Sequence, residues 1–281
     1  MISNEAVWLI TGSSRGLGRA IAEKVLAAGY RAVLTARNID QLQDLAAEHG
    51  DAVLLTPLDV TKQDQIDAAY KAAIAKFGMV DVLVNNAGYG YVGAIEEGED
   101  AEMRAIFETD LFAPVNLIKA VLPGMRERRH GHIVNVSSIG GHITYPGVGY
   151  YHMVKFGLEA MSDTLAKEVA GLGIGVTVVA PGAFRTDFRG PESMKFSQTM
   201  IDDYKDTAGK SREGTAAGHR KQVGDPARGA EAIIKAVEAE RPPVHLLIGG
   251  DALDQLRKKL DEIRAETDAW EDVTRSTDFR E

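Results

Sequence analysis

One alternation runs through most of this 281-residue chain: short apolar runs are each followed by a longer stretch with helical periodicity. Seven such runs, from AVWLITG at residues 6–12 to PVHLLIG at residues 243–249, are rich in β-branched residues and lack a polar/apolar alternation. Strands of this kind are buried on both faces, as in a parallel sheet covered by helices. The pattern therefore predicts a single doubly wound α/β domain, with a seven-stranded parallel sheet flanked by helices.

Two regions interrupt the alternation. Residues 183–224 form a long insert where short loops are the rule, and residues 251–281 form a charged extension whose first part has helical periodicity. We therefore expect a dinucleotide-binding and catalytic domain over residues 1–250, insert included, followed by a partly helical extension. Because the insert is long, glycine-containing and mixed in polarity, we expect it to act as a substrate lid that ligands protect from proteolysis.

Composition excludes several classes of function. A formal charge of −9 argues against nucleic acid or an anionic membrane as a partner. The chain has no cysteine, which rules out disulfides, thiolate catalysis and cysteine-based metal sites, and no metal site is predicted. No apolar run approaches the ~20 residues that span a bilayer, and the N-terminus lacks the basic start of a secretory signal. We expect a cytoplasmic enzyme or binding protein.

A glycine-rich turn, TGSSRGLG, directly follows the first predicted strand. Such a turn at the start of a helix presents backbone N–H groups and the positive end of the helix dipole, which together bind phosphate. The alternative is a tight turn that serves only close packing of helix on strand. Its place at the first strand-to-helix crossover favours dinucleotide binding. The residues expected to contact the dinucleotide here are Gly12, Ser14, Arg15, Gly16, Leu17 and Gly18.

The end of the second strand bears on which dinucleotide is bound. An acidic residue there would hold a free ribose 2′-hydroxyl, but the chain has Ala36 followed by Arg37. Arg37 and Arg15 together suit a 2′-phosphate, since each guanidinium can donate two hydrogen bonds to it. The sequence therefore predicts NADP over NAD. Asp59, followed by Val60 at the end of the third strand, is expected to accept from the adenine amino group; the alternative is a residue that only leads into the helix, where Thr61 and Asp64 form a capping-box pattern.

Two further strand ends carry polar or glycine-containing motifs on the rim where open α/β sheets bind ligands. NNAG closes the fourth strand at residues 85–88, and PGAFRT closes the sixth at residues 181–186. The residues predicted to contact the cofactor from these motifs are Asn86, Ala87, Gly88, Pro181, Gly182 and Thr186.

The stretch GYYHMVKFG contains two tyrosines and one lysine. Residues four apart on a helix lie within about 40° of one face, so Tyr151 and Lys155 are neighbours, while Tyr150 points about 140° away from the lysine. A positive charge close to a phenol favours the phenolate and makes an acid/base catalyst. Ser138, at the end of the strand HIVNVSS, can orient a substrate oxygen. The alternatives are a half-buried tyrosine beside a solvated lysine and a serine that starts a loop.

These motifs together resemble the short-chain dehydrogenase/reductase family. The order and spacing of the glycine turn, of NNAG, of Ser138, of Tyr151-x-x-x-Lys155 and of Pro181-Gly182 are similar to those of the family over about residues 5–250. The resemblance implies a Rossmann-type fold, hydride transfer between a nicotinamide and a carbonyl/alcohol pair, and a homodimer or homotetramer.

The resemblance assigns the family's residue roles to the matching positions of this chain. Tyr151 resembles the proton donor or acceptor, and Ser138 the anchor of the substrate oxygen. Lys155 resembles the residue that lowers the tyrosine pKa and holds the nicotinamide ribose. Thr186 resembles the hydroxyl beside the carboxamide.

One catalytic position departs from the family. The helix FETDLFAPVNLIKAVLP usually carries an asparagine before its leucine, where this chain has Asp110. Asn116 lies nearly two turns further on and is not taken as its substitute. Either the Asp110 carboxylate points towards Lys155, or only its backbone is used and the side chain points elsewhere.

The sequence therefore predicts an NADP-dependent carbonyl reductase or alcohol dehydrogenase acting on a small, lipophilic ketone or secondary alcohol. The alternatives are a non-catalytic NADP-binding regulator, an NAD-dependent dehydrogenase of hydroxysteroid type, and a sugar-nucleotide epimerase or dehydratase. Two arginines of the insert, Arg185 and Arg189, leave an anionic substrate open. The side chains expected to line the substrate site are Tyr89, Tyr91, Tyr145, Met153, Phe184, Phe188, Met194 and Phe196.

Overall fold

A computed structural model describes residue 3 and residues 5–279 of the chain. Seven strands form the central sheet: β1 (Val7–Ile10), β2 (Arg31–Ala36), β3 (Val53–Pro57), β4 (Val82–Asn85), β6 (Gly131–Val136), β7 (Ile174–Pro181) and β9 (His245–Ile248). Their order is β3-β2-β1-β4-β6-β7-β9, and every neighbouring pair is parallel. The predicted doubly wound α/β domain with a seven-stranded parallel sheet is confirmed.

Helices cover both faces of this sheet. The α-helices of the described residues are α1 (Gly16–Ala27), α2 (Gln43–His49), α3 (Gln63–Phe77), α4 (Asp100–Phe107), α5 (Ala113–Arg128), α6 (Gly149–Val169), α7 (Lys210–Ala217), α8 (Pro226–Glu238), α9 (Gly250–Ala269) and α10 (Glu271–Arg275). No described helix is long and apolar enough to cross a membrane.

Strand β1 shows how the strands form two cores. Side chains of successive strand residues point to opposite faces, so Trp8 and Ile10 pack with α1 and α8, while Val7 and Leu9 pack with α3 and α5. All four side chains are fully buried or nearly so. Because both faces of the strand are buried, its sequence is a continuous apolar run without a polar/apolar alternation.

The strand order reverses between β1 and β4, because the chain moves outward to β2 and β3 and then returns to the other side of β1. Ligands of open α/β sheets bind at such a switch point, outside the carboxyl ends of the strands. The glycine turn follows β1 and NNAG follows β4, so both motifs meet at this point.

The insert contains a strand that its sequence pattern did not predict. Its strand β8 (Met194–Phe196) pairs in parallel with β5 (Gly90–Val92) in a separate two-stranded sheet. Two carboxylates hold the segment that follows β8: Glu99 accepts from the Gln198 N–H at 2.8 Å, and Glu97 accepts from the Ile201 N–H at 2.9 Å. The middle of the insert is therefore tied to the body of the domain.

Candidate active site

A cleft of about 850 Å³ opens at the carboxyl ends of the strands. With the exception of Gly18, all the residues predicted to be catalytic or to contact the cofactor line this cleft. They are Gly12, Ser14, Arg15, Gly16, Leu17, Arg37, Asp59, Val60, Asn86, Ala87, Gly88, Ser138, Tyr151, Lys155, Pro181, Gly182 and Thr186.

The glycine turn has the features that a bound pyrophosphate requires. Gly12 and Gly16 adopt φ of +63° and +59°, a region that side chains strongly disfavour. Helix α1 begins after Arg15 without a side chain capping its first N–H groups, among the residues described. These donors face the cleft and can bind an anion, so the turn fits a dinucleotide.

Gly18 does not line the cleft but packs closely against the glycine turn and Asn86. A Cβ at this position would lie under 3.0 Å from the Asn86 side chain and from the Gly12 carbonyl oxygen. Asn86 Nδ2 donates to the carbonyl oxygens of Thr11 and Gly12, at 2.9 and 3.1 Å. The Asn86 amide therefore fixes the glycine turn against β4, and Gly18 provides the room for it.

The predicted adenosine end of the cleft carries both arginines. Arg37 is exposed and makes no ion pair with another described side chain. Arg15 instead donates to the Glu192 carbonyl oxygen of the insert at 2.9 Å and lies 3.4 Å from the Glu192 carboxylate. Asp59 Oδ1 accepts from the backbone N–H and the hydroxyl of Thr61, at 3.0 and 2.8 Å, and so fixes the turn after β3.

Tyr151, Lys155 and Ser138 meet in the middle of the cleft. The Lys155 ammonium lies 5.6 Å from the centre of the Tyr151 ring and donates to the Val136 carbonyl oxygen at 3.3 Å. Ser138 Oγ accepts from the Gly140 N–H at 3.0 Å, which fixes the serine at the end of β6. Tyr150 points elsewhere: its hydroxyl donates to the Ile95 carbonyl oxygen at 2.7 Å.

The electrostatics of Tyr151 differ from the expectation for a phenol beside a lysine. Burial raises the pKa of Tyr151 and outweighs Lys155 and Ser138, which lower it; Asp110 adds to the rise. In the chain alone the group is therefore a neutral phenol, a form that can donate a proton.

Asp110 is the partner of Lys155. Asp110 Oδ2 lies 3.2 Å from Lys155 Nζ, and Oδ1 accepts from the Tyr89 N–H at 3.1 Å. Of the two side chains of this pair, that of Asp110 is 0% exposed and that of Lys155 7%. Burial alone would lower the pKa of Lys155, but the nearby Asp110 and Tyr151 raise it. Of the two alternatives for Asp110, the structure shows the direct contact.

A buried series of side-chain hydrogen bonds, not predicted from the sequence, positions α6 on the sheet. Asn85 Nδ2 donates to Asn135 Oδ1, and Asn135 Nδ2 donates to Ser162 Oγ, both at 2.8 Å. Asn135 and Ser162 are fully buried. The chain links β4, β6 and α6, and it fixes the helix that carries Tyr151 and Lys155. Asparagines inside apolar strands were the available signal, because a buried amide needs partners.

The C-terminal extension also reaches the cleft. Asp251, in the first turn of α9, accepts from the Ala183 N–H at 2.8 Å and lies against Gly182, where a Cβ would collide with it. Gln255, one turn later, accepts from the Tyr145 hydroxyl. Both residues line the cleft and were not predicted as site residues.

The predicted substrate lining divides into two groups. Tyr89, Tyr145, Phe184, Phe188 and Met194 line the cleft, as does Arg189. Tyr91 is buried in a separate core cluster, and Met153 is 51% exposed on the outside of α6. Neither these two nor Phe196 is among the residues that line the cleft.

Residues 6–195 match the family described as short chain dehydrogenase. The chain belongs to this family. It is an oxidoreductase, as the resemblance of its motifs implied.

Individual relatives are similar over nearly the whole chain. A Streptomyces avermitilis short-chain dehydrogenase of known structure is 45% identical, with a TM-score of 0.92 over 99% of this chain and 100% of that one. Oxidoreductase BOA17 of Botryotinia fuckeliana is 38% identical over 95% of this chain and 97% of its own. The 3-ketodihydrosphingosine reductase of Bacteroides thetaiotaomicron is 35% identical over 86% of this chain and 87% of its own.

Proposed function

We propose that the protein is an NADP-dependent carbonyl reductase or alcohol dehydrogenase that acts on a lipophilic ketone or secondary alcohol. The observation that carries the proposal is the convergence of Tyr151, Lys155 and Ser138 in one cleft with a glycine turn suited to a dinucleotide. A dinucleotide-binding regulator would need the turn but not these three side chains together.

In the proposed reduction, a bound nicotinamide supplies hydride to the carbonyl carbon. Ser138 and Tyr151 donate hydrogen bonds to the carbonyl oxygen and so orient it. Tyr151 then donates its phenolic proton to the developing alkoxide, which is the stronger base, and Lys155 stabilises the phenolate that remains. The glycine turn would hold the pyrophosphate, and Lys155 and Thr186 would hold the nicotinamide end.

NADP as the cofactor follows from the arginines at the adenosine end. Arg37 is exposed beside the cleft, where its guanidinium can pair with a 2′-phosphate. Arg15 can join it only after exchanging its contact with Glu192, so we assign most of the preference to Arg37.

A lipophilic substrate is supported by the aromatic and apolar side chains beyond Tyr151. The Tyr151 and Phe188 rings lie 6.0 Å apart, and Met194 and Val148 also face the cleft. Apolar lining with few polar anchors is typical of sites for apolar ligands. The relative named 3-ketodihydrosphingosine reductase points to the same class, a ketone on a long hydrocarbon chain.

The experiment that tests the proposal is a spectrophotometric screen of NADPH oxidation across ketones and aldehydes of increasing chain length. Tyr151→Phe should reduce turnover by about 10²–10⁴-fold, the usual contribution of general acid catalysis, while NADPH binding stays nearly intact. Tyr150→Phe is the matched control: it loses only the hydrogen bond to Ile95 and should keep turnover. Full activity in Tyr151→Phe would refute the assignment.

We also infer a homo-oligomer. Met153 and Phe156, three residues apart on α6, are 51% and 42% exposed, and Phe112, directly before α5, is 46% exposed. Exposed apolar side chains on neighbouring helices are typical of subunit contacts. Light scattering on the purified protein should give a mass of two or four chains, and a monomer would contradict the inference.

A further inference from the structure

The Lys155 ammonium is held by an acidic side chain where the family usually has a neutral amide. Asp110 lies in a π-helical segment, Glu108–Phe112, which joins α4 to α5. Its two oxygens have different partners, Lys155 Nζ at 3.2 Å and the Tyr89 N–H at 3.1 Å. π-helical turns of this kind occur often at functional sites.

The surroundings of the pair fix its geometry. A Cβ on Gly88 would lie 2.7 Å from Asp110 Oδ2, so the glycine of NNAG is what lets the carboxylate reach the lysine. Because neither side chain of the pair is appreciably exposed, solvent cannot screen the two charges. Burial raises the pKa of Asp110, but the Lys155 ammonium and the Tyr89 N–H stabilise its carboxylate, and Asp110 in turn raises the pKa of Lys155. With the two groups in contact at 3.2 Å, we take the ionised form of both, which makes the interaction a buried ion pair between fixed partners.

The charge of this pair adds to burial in determining which form of Tyr151 is favoured. Asp110 and Lys155 together carry no net charge, so a neutral phenol leaves the group of three balanced, while a phenolate leaves one uncompensated negative charge in a buried site. With asparagine at position 110 the balance is reversed: Lys155 alone would be positive, and the phenolate would neutralise it.

We propose that Asp110 is a positioning residue: its carboxylate holds Lys155 beside Tyr151 and favours the neutral phenol, which adapts the site to carbonyl reduction rather than alcohol oxidation. This inference rests on the proposed function. In reduction the proton passes from Tyr151 Oη to the substrate oxygen, the electron pair of the O–H bond stays on the phenolate, and reduced nicotinamide is the reductant. Alcohol oxidation needs the phenolate at the outset, as the base that removes the hydroxyl proton.

Other titratable groups face this site and bear on the protonation states of Tyr151 and Lys155. Glu159, one turn after Lys155 on α6, is buried and also raises the pKa of Lys155. His152 lies beside Tyr151, with ring centres 6.2 Å apart, and burial lowers the pKa of this histidine, so it is neutral at pH 7. Burial raises the pKa of Tyr89, with contributions from Glu102 and Asp110, so that phenol is neutral as well.

The test is Asp110→Asn, which keeps the size of the side chain and an oxygen that can accept from Tyr89 but removes the charge. Rates of ketone reduction and alcohol oxidation are measured from pH 5 to 10. We expect the rising limb of the kcat profile for oxidation to move to lower pH. At pH 7 and saturating substrates, the ratio of kcat for oxidation to kcat for reduction should increase about tenfold or more, as the removal of one charge at this range implies. The control Asp67→Asn makes the same chemical change on the exposed face of α3, where Asp67 accepts from Gln63, and should move neither quantity.

A merely structural Asp110 gives a different result. Both directions would then lose activity equally and the pH profile would keep its position, which would overturn the proposal. If Asp110→Asn does not fold, Asp110→Ser, which also lacks the charge, takes its place. Tyr151 is titrated by ultraviolet difference absorbance in wild type and in the variant, with Tyr151→Phe as the blank. Ionisation of Tyr151 at lower pH in the variant than in wild type supports the proposal, and ionisation at the same pH in both overturns it. Because this titration needs no substrate, its outcome is independent of whether the proposed function is correct.

Discussion

Gly18→Ala is the substitution that best tests the structural argument for the glycine turn. The added Cβ would lie under 3.0 Å from the Asn86 side chain and the Gly12 carbonyl oxygen, whereas ordinary contacts are 3.4–4 Å. Neither neighbour can move freely, because Asn86 is held by two hydrogen bonds and the Gly12 oxygen belongs to the backbone. The turn or the helix must therefore shift.

The expected loss of stability combines three effects. Overpacking costs about 1–3 kcal/mol, and a weakened Asn86 hydrogen bond adds about 1 kcal/mol. Replacing glycine by alanine inside a helix returns about 1 kcal/mol. We expect a net destabilisation of about 1–3 kcal/mol and a higher KM for the cofactor, because the turn that binds its phosphates has moved.

Urea unfolding followed by circular dichroism measures the first quantity, and cofactor titration the second. Gly171→Ala is the matched control, since a Cβ there meets nothing within 4 Å, and it should change stability by no more than about 0.5 kcal/mol. A Gly18→Ala chain with the stability and cofactor KM of wild type would refute the packing argument.

Three further predictions concern the cofactor, the insert and acid stability. Arg37→Ala should raise the KM for NADPH more than the KM for NADH, because only NADPH carries the 2′-phosphate; an equal rise for both would make Arg37 structural. Limited proteolysis of residues 183–224 should slow when cofactor and substrate bind, and cleavage should avoid residues 197–201, which Glu97 and Glu99 hold; the same rate with and without ligands would count against a lid. Hydrogen bonds from Tyr91 and from backbone N–H groups lower the pKa of Glu99 to about 2. The folding stability that the ionised Glu99 contributes is therefore complete above its ordinary pKa of 4.5 and is lost as the pH falls towards 2. Glu99→Gln should therefore cost more stability at pH 7 than at pH 3, measured by urea unfolding, and an equal cost at both would contradict the assignment.

The sequence alone predicted the features that depend on local pattern. The seven strands are apolar because both faces of the sheet are covered, and this burial can be read from each segment separately. The spacing of Tyr151 and Lys155 places them on one face of α6 because helix geometry relates residues four apart. The glycine turn could likewise be located from its own residues and the strand before it.

Only the tertiary structure decided the partners that are distant along the chain. Asp110 meets Lys155 because the π-helical segment, Gly88 and α6 pack at one place, and no local pattern distinguishes this orientation from a side chain that points away. The pairing of β8 with β5 and the contact of Asp251 with Ala183 have the same origin. The local sequence pattern indicates whether a residue is buried. Which residue it then contacts depends on how separate elements pack against each other.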